Sequence, residues 1–380
     1  MQTAQQSNGV PTQRALRGVR AELGRFFVPG PTEVKPHVFE AMVRPMIGHR
    51  APEMEELIAE IQPTLREVFQ TERPVYVAVS SGTGMMEAAV RNAARRRVLS
   101  LVNGAFSERF YRIALANGLE ADRLEVEWGA ANTPETLEDA LRQGDYDAVT
   151  VVHSETSTGV LNPIRELTEV VHGADDVVIL VDSVSGLAGA PVYTDAWALD
   201  VIVTGSQKAF ALPPGLALGV AQTNVLERAA LKPNRGIYFD FIEFERNIQK
   251  NQTPNTPAVS LMYALAAQLA AIREETIEGR WRRHAEMAER TYAWVEEMKA
   301  RGIGLEVLAP EGYRSPTVTT VRLPDGWTGP RLAAAAAERG FRIATGYGKL
   351  RETTFRIGHM GDHTLVELEA LLDALEDALQ

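Results

Sequence analysis

Between Val75 and Gln222 the chain alternates short, unbroken apolar runs with longer stretches whose apolar residues recur at helical spacing. The runs predict strands over 75–79, 97–102, 123–128, 147–152, 177–181, 200–204 and 216–221. The spaced stretches predict helices over 84–95, 107–118, 134–143 and 164–173. A run such as VVILV is apolar at every position, as in strands buried on both faces. Strands of that kind alternating with helices build an α/β fold: a mostly parallel sheet sandwiched by helices. Upstream, residues 52–70 place Met54, Leu57, Ile58, Ile61, Leu65 and Val68 on one helical stripe, and Pro63 is expected to kink or restart that helix. Order is expected from about Phe26, where the turn Val28-Pro29-Gly30-Pro31-Thr32 leads into a helical stretch ending near Arg44. Past Gln222 the pattern turns helical, with long helices over 257–277 and 279–301. The C-terminal part reads as strand 317–322, helix 329–339, strand 353–357 and helix 363–379. The expected division is a flexible leader over 1–25, a large domain over 26–275 with an N-terminal arm, and a smaller α+β domain over 276–380.

Composition narrows the function. At 380 residues the chain exceeds one typical core, which agrees with two domains. A net charge of −11 argues against nucleic acid or an anionic membrane as partner, since both need basic patches. No apolar run approaches the roughly 18 residues of a membrane span. Cysteine is absent, which excludes disulfides, thiolate metal sites and cysteine nucleophiles and fits a reducing cytoplasm. Residues 1–20 carry three arginines and no acid, which leaves an organellar transit peptide open beside a plain leader.

Three polar features interrupt the apolar pattern at strand ends. Ser80-Ser81-Gly82-Thr83-Gly84 follows VYVAV and opens a helix, the arrangement of a phosphate cradle, although an ordinary glycine-rich turn reads the same way. Asp182 ends VVILV and either caps a loop or holds a cation. Lys208 follows DVIVTGSQ and is either a salt-bridge partner for Asp182 or a Schiff-base lysine whose pKa burial lowers. Together they match what pyridoxal phosphate needs: a phosphate cradle, an acid for its ring nitrogen and an amine for its aldehyde.

The same residues carry a resemblance. SSGTG, HSETSTGVLNP (153–163), LVDSVSGLAG (180–189) and TGSQKAFALPPG (204–215) resemble the class V aminotransferases, and among them the alanine–glyoxylate and serine–pyruvate or serine–glyoxylate enzymes. FVPGP (27–31) and YGKLRETTFRIGHMGDHT (347–364) extend it over nearly the whole ordered chain. The resemblance implies a fold type I, pyridoxal 5′-phosphate-dependent homodimer with active sites at the subunit boundary. It implies Lys208 as the lysine that holds the cofactor and moves the substrate proton, and Asp182 as the partner of the ring nitrogen. Ser81, Gly82, Thr83 and Gln207 fall at its phosphate-binding positions, Thr156 at the hydroxyl facing the ring oxygen, and Phe106 at the stacking ring, where many relatives carry tryptophan. Arg356 falls at the clamp for the substrate carboxylate, with Gly30 on the substrate side. Thr253 and Thr256 would be donors lent by a partner subunit, or else part of a linker.

Substrate is less defined. A small donor, alanine or serine, with glyoxylate or pyruvate as acceptor is expected, by ping-pong kinetics. His49-Arg50 also resembles a pair that phosphoserine aminotransferases use on substrate phosphate, but their second His-Arg pair is replaced here by Tyr347-Gly348-Lys349-Leu350-Arg351, in which Lys349 remains as an anion contact. A phosphoserine or aspartate donor is therefore the alternative, and a lyase or aldolase using the same cofactor a more distant one. His359, Asp362 and His363 have the spacing of a metal pair, but Gly361 opposes a continuous helix and no third ligand is evident, so no metal is expected.

Overall fold

The computed structural model describes residues 25–380, so the expected leader, apart from Arg25, lies outside the described residues. A seven-stranded sheet holds the centre of the larger part. Its strands are β1 (Tyr76–Val79), β2 (Arg97–Val102), β3 (Glu120–Glu125), β4 (Ala148–Val152), β5 (Val178–Asp182), β6 (Val201–Gly205) and β7 (Leu216–Ala221). They lie in the order β1-β7-β6-β5-β4-β2-β3. All neighbouring pairs are parallel except those made by β7, which runs antiparallel to both β1 and β6. Strands β4, β5, β6 and β7 are buried at every position, as their unbroken apolar runs require. Helices Gly82–Ala93, Ala105–Ala116, Pro134–Gln143 and Ile164–His172 join the parallel strands close to their expected positions.

Two expectations need correction. The edge strand spans Glu120–Glu125 and not 123–128: it pairs with β2 through its backbone, and its half-exposed pattern gives no apolar run to mark its start. Pro63 does not restart its helix, which is continuous over Pro52–Phe69. Ile58 and Ile61 before the proline and Leu65 and Val68 after it are buried in the same core, so packing on both sides offsets the lost amide.

A second sheet, four-stranded and antiparallel, runs in the order Glu306–Val307, Thr319–Arg322, Thr354–Ile357, Ala344–Thr345. It shares a separate apolar cluster with helices Gly329–Glu338 and Leu365–Leu379. The helix Ile277–Ala300 joins the clusters: Ile277 and Trp281 belong to the first, Met287, Trp294, Val295 and Met298 to the second. The N-terminal arm crosses over too, with Arg25–Phe26 pairing beside Phe341–Arg342 and Phe27 packed in the second cluster.

The connection between β6 and β7, residues 206–215, closes a hairpin. Ser206 closes it: its amide donates to Leu216 O (3.0 Å), its hydroxyl to Pro213 O (2.8 Å), and its carbonyl accepts from Leu212 N (3.1 Å). Thr32 braces the tip, its amide donating to Gln207 O (3.0 Å) and its hydroxyl to Lys208 O (3.1 Å).

Candidate active site

Strands β1, β2, β4, β5 and β6 point their carboxyl ends to one side, and the segments that follow them enclose a cavity of about 290 Å³. Ser81, Gly82 and Thr83 reach it after β1, Phe106 after β2, Thr156 after β4, Asp182 at the end of β5, and Gln207 and Lys208 after β6; Gly30 enters from the N-terminal arm. Residues as far apart as 30 and 208 in sequence therefore share one wall.

Each wall has a local cause. Ser81 is the N-cap of helix Gly82–Ala93 and makes no side-chain cap bond. The amides of the first turn have no intrahelical acceptor and carry the positive end of the helix dipole. A Cβ at Gly82 would lie 2.4 Å from Val184 Cγ2, so only glycine lets this turn approach the loop after Asp182. Gly30 has φ +90°, and a Cβ there would lie 2.4 Å from Lys208 Cδ. Its hydrogen is what makes room for the lysine.

Lys208 is buried, and its amine donates to Pro29 O. Burial, helped by the Arg356 charge, lowers its pKa from 10.5 to about 7. Asp182 is buried as well, accepting the Val184 amide at 2.8 Å, and burial raises its pKa from 3.8 to about 7. A cation brought to that carboxylate favours its charged form. Thr156 Oγ1 lies 2.5 Å from Ser185 Oγ. The Phe106 ring has Lys208 Nζ 6.0 Å from its centroid.

Arg356 stands behind the cavity wall at Thr156, buried in strand Thr354–Ile357. Its Nε donates to Thr345 O (3.0 Å) and its Nη1 to Thr156 O (3.1 Å), which fixes the guanidinium plane. Burial lowers its pKa from 12.5 to about 10, and the Glu155 carboxylate works against that shift.

Other expected residues lie elsewhere. Thr253 and Thr256 do not line this cavity; they border a crevice beside Val79 and Tyr238. Arg50 is tied to the same segment, donating to Thr253 O (2.6 Å) and Pro254 O (3.2 Å). Lys349 lies over the Trp128 ring at 4.6 Å. The histidines of the metal-like spacing face different partners: His359 Nε2 is 2.7 Å from Thr319 Oγ1, and His363 stacks on Phe27 with Nε2 2.6 Å from Phe26 O.

Two residues that sequence reasoning passed over belong to the site. Arg109 lines the cavity, donates to Thr83 Oγ1 (3.2 Å) and lies 4.8 Å from the Phe106 centroid. It follows Phe106 by three residues on one helix, a spacing that puts both on the same face and was available in the sequence. Glu155 is fully buried and accepts from the amides of Phe106, Ser107 and Ser157 and the hydroxyls of Ser107 and Ser157. It caps the helix that carries Phe106 and Arg109, and no local pattern announces it.

A model of the family "Aminotransferase class-V" matches residues 35–347. The chain belongs to the class-V aminotransferases. An uncharacterized aminotransferase of Methanocaldococcus jannaschii is 40% identical over 359 residues, spanning 93% of this chain and 92% of that protein. The serine–glyoxylate aminotransferase of Methylorubrum extorquens is 33% identical over 365 residues, 93% of this chain and 89% of its own length. Among solved structures, an aspartate aminotransferase from Thermus thermophilus superposes with a TM-score of 0.85 at 34% identity, covering 93% of this chain and 99% of its own. The fold is the fold type I of this class-V family, and the chain is an aminotransferase. Among the described residues no helix is long and apolar enough to cross a membrane.

Proposed function

We propose that the protein is a pyridoxal 5′-phosphate-dependent aminotransferase that moves the amino group of alanine or serine to glyoxylate or pyruvate. The observation that supports it most is that Asp182 and Lys208 enter one cavity from neighbouring strand ends with separate hydrogen-bond partners, the Val184 amide and the Pro29 carbonyl. They address a third body between them. The residues fit the cofactor: an uncapped helix N-terminus beside Arg109 suits a phosphate, and a buried carboxylate suits a protonated ring nitrogen.

Bound there, the cofactor supplies an electrophilic carbon for amines and an electron-withdrawing ring that acidifies the donor's Cα–H. Ser81, Gly82, Thr83 and Gln207 would hold its phosphate, Phe106 would pack on its ring and Thr156 would face its ring oxygen. Asp182 would hold a proton on the ring nitrogen. Lys208 would hold the cofactor through its amine. That amine, when free, would take the Cα proton and return it on the far side of the transfer, a role suited to a pKa of about 7. Arg356 grips the donor carboxylate with its planar fork. The acceptor runs the same steps backwards after the first product leaves, which gives ping-pong kinetics.

An aspartate or phosphoserine donor is the second reading, favoured by the aspartate activity of the Thermus relative. A homodimer is part of the proposal. Thr253 and Thr256 face away from their own cavity, and Phe39, Val43, Met46, Ile237 and Tyr238 are exposed and apolar.

A panel of donors and acceptors, read as single half-reactions from the visible absorbance of lysine-bound cofactor, tests this. Alanine or serine should bleach it fastest, and glyoxylate or pyruvate should restore it. Lys208→Ala should bind cofactor without that absorbance and lose at least about 10²–10⁴-fold in turnover. Normal transamination by the variant would show that another lysine does the work.

A further inference from the structure

Tyr347 is an aromatic side chain packed against Phe106 of the cavity wall, with no part in the steps above. Its ring centroid lies 5.4 Å from that of Phe106, the planes inclined by 39°. The Arg356 guanidinium carbon lies 5.5 Å from the same ring. Tyr347 therefore touches both the ring assigned to the cofactor and the cation assigned to the substrate carboxylate. An amino acid held by its carboxylate at Arg356 and by its nitrogen over the cofactor has one free substituent, its side chain. That side chain must find space between those two anchors, and Tyr347 bridges them.

The backbone holds the ring in place. Gly346 N donates to Thr354 O (2.8 Å), and Leu350 N donates to Tyr347 O (3.0 Å). A Cβ at Gly346 would lie 2.0 Å from Leu350 O and 2.2 Å from Thr354 Oγ1. Gly348 takes a left-handed backbone, with φ +54°. Close packing before the tyrosine and a glycine turn after it thus fix where the ring stands, while 38% of Tyr347 stays exposed.

We propose that Tyr347 is the specificity-determining residue for the amino donor. Its ring closes the rim between Phe106 and Arg356 and turns away bulky apolar side chains, leaving room for those the size of alanine or serine. This rests on the aminotransferase reading of the site. Exclusion by shape is worth about 10–200-fold per methylene in a fitted pocket, so removing a whole ring should be easily measured.

The test uses the cofactor-loaded wild type with Tyr347→Ala, Tyr347→Leu and Tyr347→Phe. One readout is the ratio of half-reaction rates for phenylalanine and alanine. The other is the ratio of affinities for phenylacetate and propionate, followed by the cofactor's absorbance without turnover. Tyr347→Ala should shift both ratios at least about tenfold toward the larger ligand, Tyr347→Leu by less, and Tyr347→Phe should keep the wild-type selection. The gain should appear in KM more than in kcat. Unchanged ratios in both the alanine and leucine variants, or a phenylalanine variant that behaves like alanine, would overturn the proposal. A wild type that binds neither carboxylate would instead remove Arg356 as the clamp, and the site reading with it.

Discussion

Burial displaces Lys208 and Asp182 in opposite senses, and both come to titrate near neutrality. For Lys208 the folded pKa of about 7 lies below the ordinary 10.5, so protonation favours the unfolded chain. The destabilisation is complete below about pH 7 and fades as pH rises toward 10.5. Asp182 works the other way: its cost is absent below 3.8 and complete above about 7. In cofactor-free protein Lys208→Met should therefore raise Tm most at or below pH 7, with the advantage closing toward pH 10.5. Thermal melts across that range check this, and a constant gain would mean that the lysine keeps its ordinary pKa. Both residues were legible in the sequence because Asp182 ends an unbroken apolar run and Lys208 follows another by a few residues. Glu155 was not, since its donors Phe106 and Ser107 lie 49 and 48 residues upstream. Tyr347 was legible only as part of the segment that replaces a second His-Arg pair, because it acquires its neighbours Phe106 and Arg356 only when the sheets fold together.

Helix Ala105–Ala116 shows how one buried carboxylate sets the pose of an element. Its N-cap is Gly104, which offers no side chain, and a Cβ there would lie 2.4 Å from Glu155 Cδ. Glu155 does the capping from another strand end. In Glu155→Gln an amide N–H₂ faces amide donors, which should destabilise the protein by about 1–3 kcal/mol, seen as a lower urea midpoint at unchanged m. The parallel strands and their helices were readable because burial on both faces leaves nothing polar to blur the period. The edge strand Glu120–Glu125 was misplaced by the same logic: at the sheet margin only the backbone is obliged to pair, and side chains carry little of the signal.

Across the whole molecule, Arg280 ties the two apolar clusters to the segment that carries Lys208. It is buried in the helix that spans both, and donates to Ala209 O (3.2 and 2.5 Å), Glu275 (2.9 Å) and Asp362 (2.8 Å). Ala209 follows Lys208 directly, and Asp362 lies a few residues beyond Arg356. Arg280→Met should cost about 3 kcal/mol, at the low end for breaking a buried pair because Glu275 and Asp362 keep some solvent. Urea unfolding measures it, and an unchanged midpoint would make the network incidental. The antiparallel return of β7 has an effect of another kind. Had it run parallel, the chain after Lys208 would have needed a crossover of about a dozen or more residues back to the other end of the sheet. Closed instead into a hairpin by Ser206 and braced by Thr32, the segment surrenders its conformational entropy when the chain folds. The backbone around Lys208 is thus set once, at folding, with no separate ordering step to follow.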